Sequence, residues 1–416
     1  MAVRGCRPRG FATAPSLIFC VVLVATVSVC AQQPNGPAGM FVQFRQGPPF
    51  PIVAAAPNNG LLTVALTGSP GVPFVIATAP LNPGALAAPG FQFWDLGTPP
   101  FFQDVIVLID GTLPGAPPGY SLGLDGTATI QVPVPPGAFM ILPPVQALFL
   151  DPSSPDGFWL TAASRIILTP PRSILFIQGD FDPGVGTGPT CRIGDPSFVG
   201  FSTLASMLQL AGFGAVTEVV DTAVTITPQL LSSHGIIVLG SNRRMFTTAE
   251  EDAIESFVRS GGGLVSYADA TFGPGNDVSD NQILSRFGLL VAWDNLGGPV
   301  VAGSLSAHPI SAGVGLGVGG EGVSIIEIVG NGTDPVVNVA PCVANGGACL
   351  PYPLPAPSGL PNPTFSACAA VTAGLGRVVA TFDRNTFFNP PGYGTHIMEY
   401  SNLAYALNLF LFAGGY

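Results

Sequence analysis

Lysine is absent from this chain of 416 residues, and 13 arginines face 24 acidic residues. A chain with that balance offers no basic surface to a phosphate backbone or an anionic bilayer, so nucleic acid is excluded as a partner. Histidine is nearly missing as well. His234, His308 and His396 are the only three, which leaves little for metal ligation or for proton transfer near neutral pH. Charged residues make up only 9% of the chain, whereas 54 Gly and 44 Pro make up nearly a quarter. Such a Gly/Pro share can accompany disorder, but 47% hydrophobic residues in strand-sized runs indicate packed β-structure with many turns. Beyond the N-terminus no stretch reaches 18 uninterrupted apolar residues, so no membrane span is expected in the mature chain.

The N-terminus has the grammar of an export signal. Arg4, Arg7 and Arg9 precede an apolar run from Phe11 to Val29, and Val29-Cys30-Ala31 precedes Gln32-Gln33. Cleavage after Ala31 is expected, with the product in the periplasm, at the cell surface or secreted. A lipoprotein reading would use Cys30, but Val29 is bulky for the position before a lipidated cysteine; a retained anchor is the other alternative. The remainder keeps ten Arg against all 24 acids, a net charge near −14, and four cysteines. An even count in an exported chain suggests two disulfides among three possible pairings, with Cys342–Cys349 and Cys191–Cys368 preferred. Metal ligation competes with this, although no CxxC pair or neighbouring His supports zinc.

Residues 32–171 read as short strands between Pro/Gly turns, at 40–46, 61–68, 73–80, 104–111, 127–134, 145–151 and 158–168. Alternation is clear in Leu62-Thr63-Val64-Ala65-Leu66-Thr67, and such half-buried antiparallel strands predict a β-sandwich. This half has no His, Lys, Glu or Cys, so it offers little for catalysis. Asp151 and Asp156 read either as turn caps or as shared Ca²⁺ ligands. From Arg172 the pattern changes to alternating strands and helices. SILFIQGD (173–180), GIIVLGSN (235–242), GLVSYAD (263–269), PVVNVA (335–340) and GRVVATFD (376–383) read as strands. Helices are expected at 202–210, from Thr248 with a capping box to Glu251, near 281–287 and at 402–412. That order predicts a flavodoxin-like α/β domain over 172–416, a parallel sheet with helices on both faces.

Several segments carry a family likeness: FTTAEEDAIESFVRSGGGLVSYADAT (246–271), NQILSRFGLLV (281–291), AHPISAGV (307–314), GRVVATFDRNTFFN (376–389) and SNLAYALNLFLFAGG (401–415). Residues 172–416 resemble the class I glutamine amidotransferase-like domains, nearest to the trehalose-utilisation (ThuA-like) branch. The segment PVPPGAFMILPPVQALFLDPSSPDGFWLTA resembles β-sandwich modules of large secreted bacterial proteins, which implies an accessory or adhesive part. In amidotransferases the turn after the GGGL strand carries a catalytic Cys, completed by a His–Glu pair; the ThuA-like branch has His there. Here the matching position is Ala268, which can neither attack nor accept a proton. Arg384-Asn385 follow the GRVVATFD strand where the family His is expected. His396 and Glu399 lie further on, as a possible base and orienter or as ordinary loop residues.

Ligands of open α/β sheets sit beyond the carboxyl ends of the strands. Those ends offer Asp180, Asp182, Asn242, Arg243, Asp269, Thr271, Asp383 and Asn385. Converging carboxylates would hold Ca²⁺ (Asp180 and Asp182 first), bind sugar hydroxyls or act as an acid/base pair; dispersed ones would cap βα turns. Gly315 to Gly320 fits GxGxxG without opening a helix, and is set aside. Two functions follow. The first is an exported pseudoenzyme that binds a protein or carbohydrate without a cofactor. The second is a carbohydrate-active hydrolase or lyase using Asp269, Asp383 and His396.

Overall fold

The computed structural model describes residues 38–416 except 43–44, 47–51, 56–59, 89–91, 97–102, 137–138, 162, 165, 180–190, 241, 243, 268–275, 297–304, 321–322, 343–356, 362 and 392–394. The expected signal segment and several candidate residues (Asp180, Asp182, Arg243, Ala268, Asp269, Thr271 and Cys349) lie outside that set.

The N-terminal part forms small sheets. Gly39–Val42, Arg45–Gln46, Leu61–Thr67 and Thr127–Pro133 make one sheet; Phe74–Thr78, Ile106–Asp110, Val145–Phe149 and Trp159–Leu160 make a second. A third combines Ile52–Ala55, Met140–Ile141 and Ile166–Thr169. Leu62, Val64 and Leu66 alternate into a core shared with Met40, Phe74, Phe149 and Leu168, as period two requires. Two expectations need correction. Ile166–Thr169 runs parallel to Ile52–Ala55, so the pairing is not wholly antiparallel. The single strand expected over 158–168 is two, because Thr161 ends the first. Its Oγ1 accepts the Ala147 N–H at 3.0 Å and its carbonyl accepts Gln146 Nε2 at 2.7 Å. The ribbon Leu81–Ala88/Gln92–Leu96 escaped the sequence pattern because Pro83 and Gly84 interrupt its alternation.

The C-terminal part is built on seven strands: β1 Ile174–Gln178, β2 Val216–Val220, β3 Ile236–Gly240, β4 Gly263–Tyr267, β5 Val336–Asn338, β6 Cys368–Ala373 and β7 Gly376–Thr381. Their order is β2-β1-β3-β4-β7-β6-β5. The first five in that order are parallel; β6 runs antiparallel to β7, and β5 antiparallel to β6. The sheet is therefore mixed, not all-parallel. The cause is local: only Gly374-Leu375 separates β6 from β7, and a two-residue turn can join antiparallel strands only. Gly374 sits at φ +59°, the left-handed region such hairpins favour.

Among the described residues five α-helices accompany the sheet: α1 Ser202–Leu210, α2 Pro228–Ser232, α3 Thr248–Arg259, α4 Asn276–Leu284 and α5 Asn402–Ala413. α1 and α5 pack with Ile174, Phe176, Val238 and Val265; α3 and α4 pack with Leu175, Ile177, Ile237 and Leu264. Both faces are covered, which is why β1, β3 and β4 are continuous apolar runs. A four-stranded antiparallel sheet of Leu289–Leu296, Val323–Ile328, Thr364–Ser366 and Pro341–Cys342 flanks this core. Among the described residues no helix is long and apolar enough to cross a membrane.

The capping box of α3 is one residue earlier than the sequence suggested, with Thr247 as N-cap and Glu250 closing the box. Both registers satisfy the Thr-x-x-Glu pattern. Glu250 prevails because it also accepts the Ile226 N–H at 3.0 Å and two donors of Arg244 at 2.6 and 2.9 Å. The Cys191–Cys368 disulfide is not formed, and both cysteines are buried. The Cys191 carbonyl is tied to Gln178 at the end of β1, and β3, β4 and β7 separate β1 from the strand of Cys368. Cys368 is anchored in turn by Ser366, whose Oγ accepts its N–H at 3.1 Å, so each cysteine is held by its own neighbours.

Candidate functional site at the carboxyl ends of the strands

From β1 the chain crosses to β2 on one side and to β3 on the other, so the carboxyl ends of β1 and β3 flank the crevice where doubly wound sheets take ligands. Gln178, Gly240 and Tyr267 occupy one row across β1, β3 and β4. Gly240 leaves space for the Tyr267 ring, which a Cβ at that position would strike. Tyr267 is the residue just before Ala268, and it is 1% exposed. Its ring meets Phe201 edge-on at 5.6 Å and Phe387 at 5.1 Å, and Phe388 joins from 6.0 Å of Phe201. Burial holds its hydroxyl well above the usual phenol range, so it stays a neutral donor.

The polar groups here are mostly committed to the fold. Asn242 is 1% exposed and donates from Nδ2 to Ile177 O (3.1 Å) and Asp221 Oδ2 (3.0 Å), while its carbonyl accepts Ser279 Oγ at 2.5 Å. It ties β1, the segment after β2 and α4 together. Gln178 donates to Cys191 O at 2.6 Å. Asn242 Oδ1, Gln178 Oε1 and the Tyr267 hydroxyl find no hydrogen-bond partner among the described residues. Neutral amide and hydroxyl groups of this kind serve as hydrogen-bond donors and acceptors.

Asp383, at the end of β7, is fully buried, and its Oδ1 accepts the Asn385 N–H at 2.8 Å in a short Asx turn. The glycine loop closes over it: a Cβ on Gly320 would collide with the Asp383 carboxylate. Gly319 is held by Asn402 (N–H to Oδ1, 2.8 Å) and by Thr386 Oγ1 on its carbonyl (2.8 Å). GxGxxG here is a packing device whose signal was the crowding of small residues, legible only once Asp383 lay beneath them. His396 lies in the loop before α5. Its Nδ1 accepts the Met398 N–H at 3.2 Å and its Nε2 lies 3.4 Å from Glu399 Oε1. Asn385 begins a single 3₁₀ turn to Phe387 and is largely buried.

Other singled-out residues occupy structural positions. His308 caps the turn Pro309–Ser311, its Nδ1 accepting the Ile310 N–H at 3.2 Å. Burial, and then nearby Arg377, push its pKa down to about 4. Asp151 is buried and accepts from Ser153 N–H (2.8 Å), Ser153 Oγ (2.6 Å) and Ser69 Oγ. Among the described residues no group of three or more His, Cys, Asp or Glu side chains is placed to hold a metal.

No protein family and no curated protein matches the chain. Among solved structures, the N-terminal domain of mmIFT52 is similar over 58% of this chain and 97% of its own, at 16% identity and a TM-score of 0.42. ThuA-like proteins of Bacteroides uniformis (13% identity, 58% and 91% covered, TM-score 0.36) and Parabacteroides merdae (14%, 59% and 91%, 0.34) are also similar. Likenesses at this level do not define a family for the chain.

Proposed function

We propose that this chain is an exported, non-catalytic binding or scaffolding protein, with a β-sandwich module followed by a ThuA-like, amidotransferase-type domain that has no nucleophile. One observation carries the reading: the strand end beside Ala268 is filled by the Tyr267–Phe201–Phe387–Phe388 cluster, and Asp383 is sealed under Gly320. A general acid or base must reach the proton it transfers, and a carboxylate at 0% exposure that caps its own turn does not. The partner of such a protein is a protein surface or a carbohydrate, engaged through neutral hydrogen-bonding groups.

The test pairs activity with stability. Wild type and Asp383→Asn are assayed on aryl glycosides, aryl esters and glutamine, and their thermal unfolding is compared. The expected result is no turnover above buffer for either protein, with Asp383→Asn less stable by about 1–2 kcal/mol through the lost turn cap. Turnover by the wild type that Asp383→Asn abolishes at unchanged Tm would overturn the reading in favour of a carbohydrate-active hydrolase or lyase.

A further inference from the structure

A groove not used above lies at the opposite end of the sheet. With a volume of about 630 Å³, it opens between α2, α3 and the β6–β7 hairpin, with Arg172, Leu231, Ser256, Phe257, Ser260 and Leu375 on its walls. Its volume is in the range of small-molecule sites. Three features give its chemistry.

Charge comes first. Arg172 is the one arginine among the described residues lining it, no Asp or Glu stands among them, and His234 is the other titratable side chain there, in a chain where acids outnumber cations. Its Nη1 donates to the Gly261 carbonyl at 2.7 Å and weakly to Gly235 O at 3.5 Å. Backbone carbonyls orient the guanidinium without neutralising it, and no carboxylate side chain among the described residues pairs with it. The nearby acid of α3, Glu255, is already committed to Arg259 and Arg286, at 2.8 and 2.6 Å. Arg377 is not part of the groove: its guanidinium donates to the Phe412 carbonyl at 3.1 Å and lies over the Phe412 ring.

The second feature is an apolar wall with one conspicuous member. Leu375 is 83% exposed, held out by the tight turn at Gly374, and it faces the groove. A large aliphatic side chain kept in water at a site's rim gains by covering a ligand. The third is a set of hydroxyls, Ser256 and Ser260, that supply neutral donors beside the cation.

We propose that this groove binds an amphipathic organic anion, a carboxylate on an aromatic or short aliphatic body, with Arg172 facing the carboxylate and Phe257 and Leu375 covering the body. The site is independent of the strand-end crevice, so it stands or falls separately from the function proposed above.

Calorimetric titration of the full chain with 4-phenylbutyrate, 4-phenylbutanamide and 4-phenylbutylamine tests it. The acid is expected to bind, the amide about tenfold or more weaker, and the amine weakest, since a charge-assisted pair is lost and then reversed. Ser256→Trp, at an exposed helix position, fills the groove, and Leu375→Ser removes its rim; each is expected to weaken the acid by about fivefold or more at unchanged Tm. Arg172→Gln is expected to abolish the preference for acid over amide. Should Arg172→Gln fail to fold, the other two variants decide. Equal binding of acid and amide, acid affinity unchanged in both Ser256→Trp and Leu375→Ser, or no binding of the acid at millimolar concentration would each overturn the proposal.

Discussion

Glu250 shows how much one side chain can organise. Its carboxylate accepts from Arg244, from the Ile226 N–H and from the backbone and hydroxyl of Thr247, at 2% exposure. The Arg244 hydrogen bonds, opposed by burial and helped by those N–H groups, hold its pKa down at about 2. A carboxylate lowered on folding stabilises fully above its ordinary 4.5, and that contribution is lost as pH falls from there through 2. Glu250→Gln is expected to cost about 2–3 kcal/mol at pH 7, leaving the buried donors poorly matched. Urea midpoints at pH 7 and pH 3 check it: the gap between wild type and variant should narrow at the lower pH. An equal gap at both would show that the charge is not what Glu250 contributes.

At the scale of elements, the β6–β7 hairpin decides the sheet's character. Gly374 has φ +59°, and a Cβ there would lie 2.6 Å from the Arg259 carbonyl, which accepts the Leu375 N–H at 3.0 Å. The turn is thus bonded to the end of α3. Gly374→Ala is expected to lose about 1–3 kcal/mol through the strained φ and that contact, measured by chemical denaturation. A loss below about 0.5 kcal/mol would mean that the hairpin and α3 move apart at little cost. α3 is also tied to its neighbours by charge. Arg286 reaches Glu251, Asp252 and Glu255, and Arg259 joins Glu255 and Asp334. In a chain this poor in cations, two of them are committed to the acids of this one helix and its neighbour Asp334.

At the scale of the molecule, the cores hold without the expected Cys191–Cys368 cross-link. Both thiols are about 1% exposed or less, and burial pushes Cys368 up to about 12. Neither is expected to react with iodoacetamide in the native protein, and both are expected to react in concentrated urea without reductant. A non-reduced peptide map that joins the two would contradict the structure. The even count suggested a cross-link; these two cysteines belong instead, unbridged, to the same apolar core as Tyr267 and Tyr405.

Local pattern by itself determined most of the elements. Alternation marked Leu61–Thr67, continuous apolar runs marked β1, β3 and β4, and the helix at 202–210 was fixed by its apolar spacing and the stop at Gly212. These features depend on neighbours within a few residues, where composition and period suffice. Tertiary structure alone decided what depends on distant ones. It placed Gly320 over Asp383, set Tyr267 among Phe201 and Phe387, ran β6 antiparallel, and left Cys191 and Cys368 unbridged in one core. It also made a groove from Arg172, Ser256 and Leu375, residues far apart in the chain and unremarkable in it. The physical reason is common to all of them: burial and proximity are set by packing across the sheet, and no local period encodes which strand ends meet.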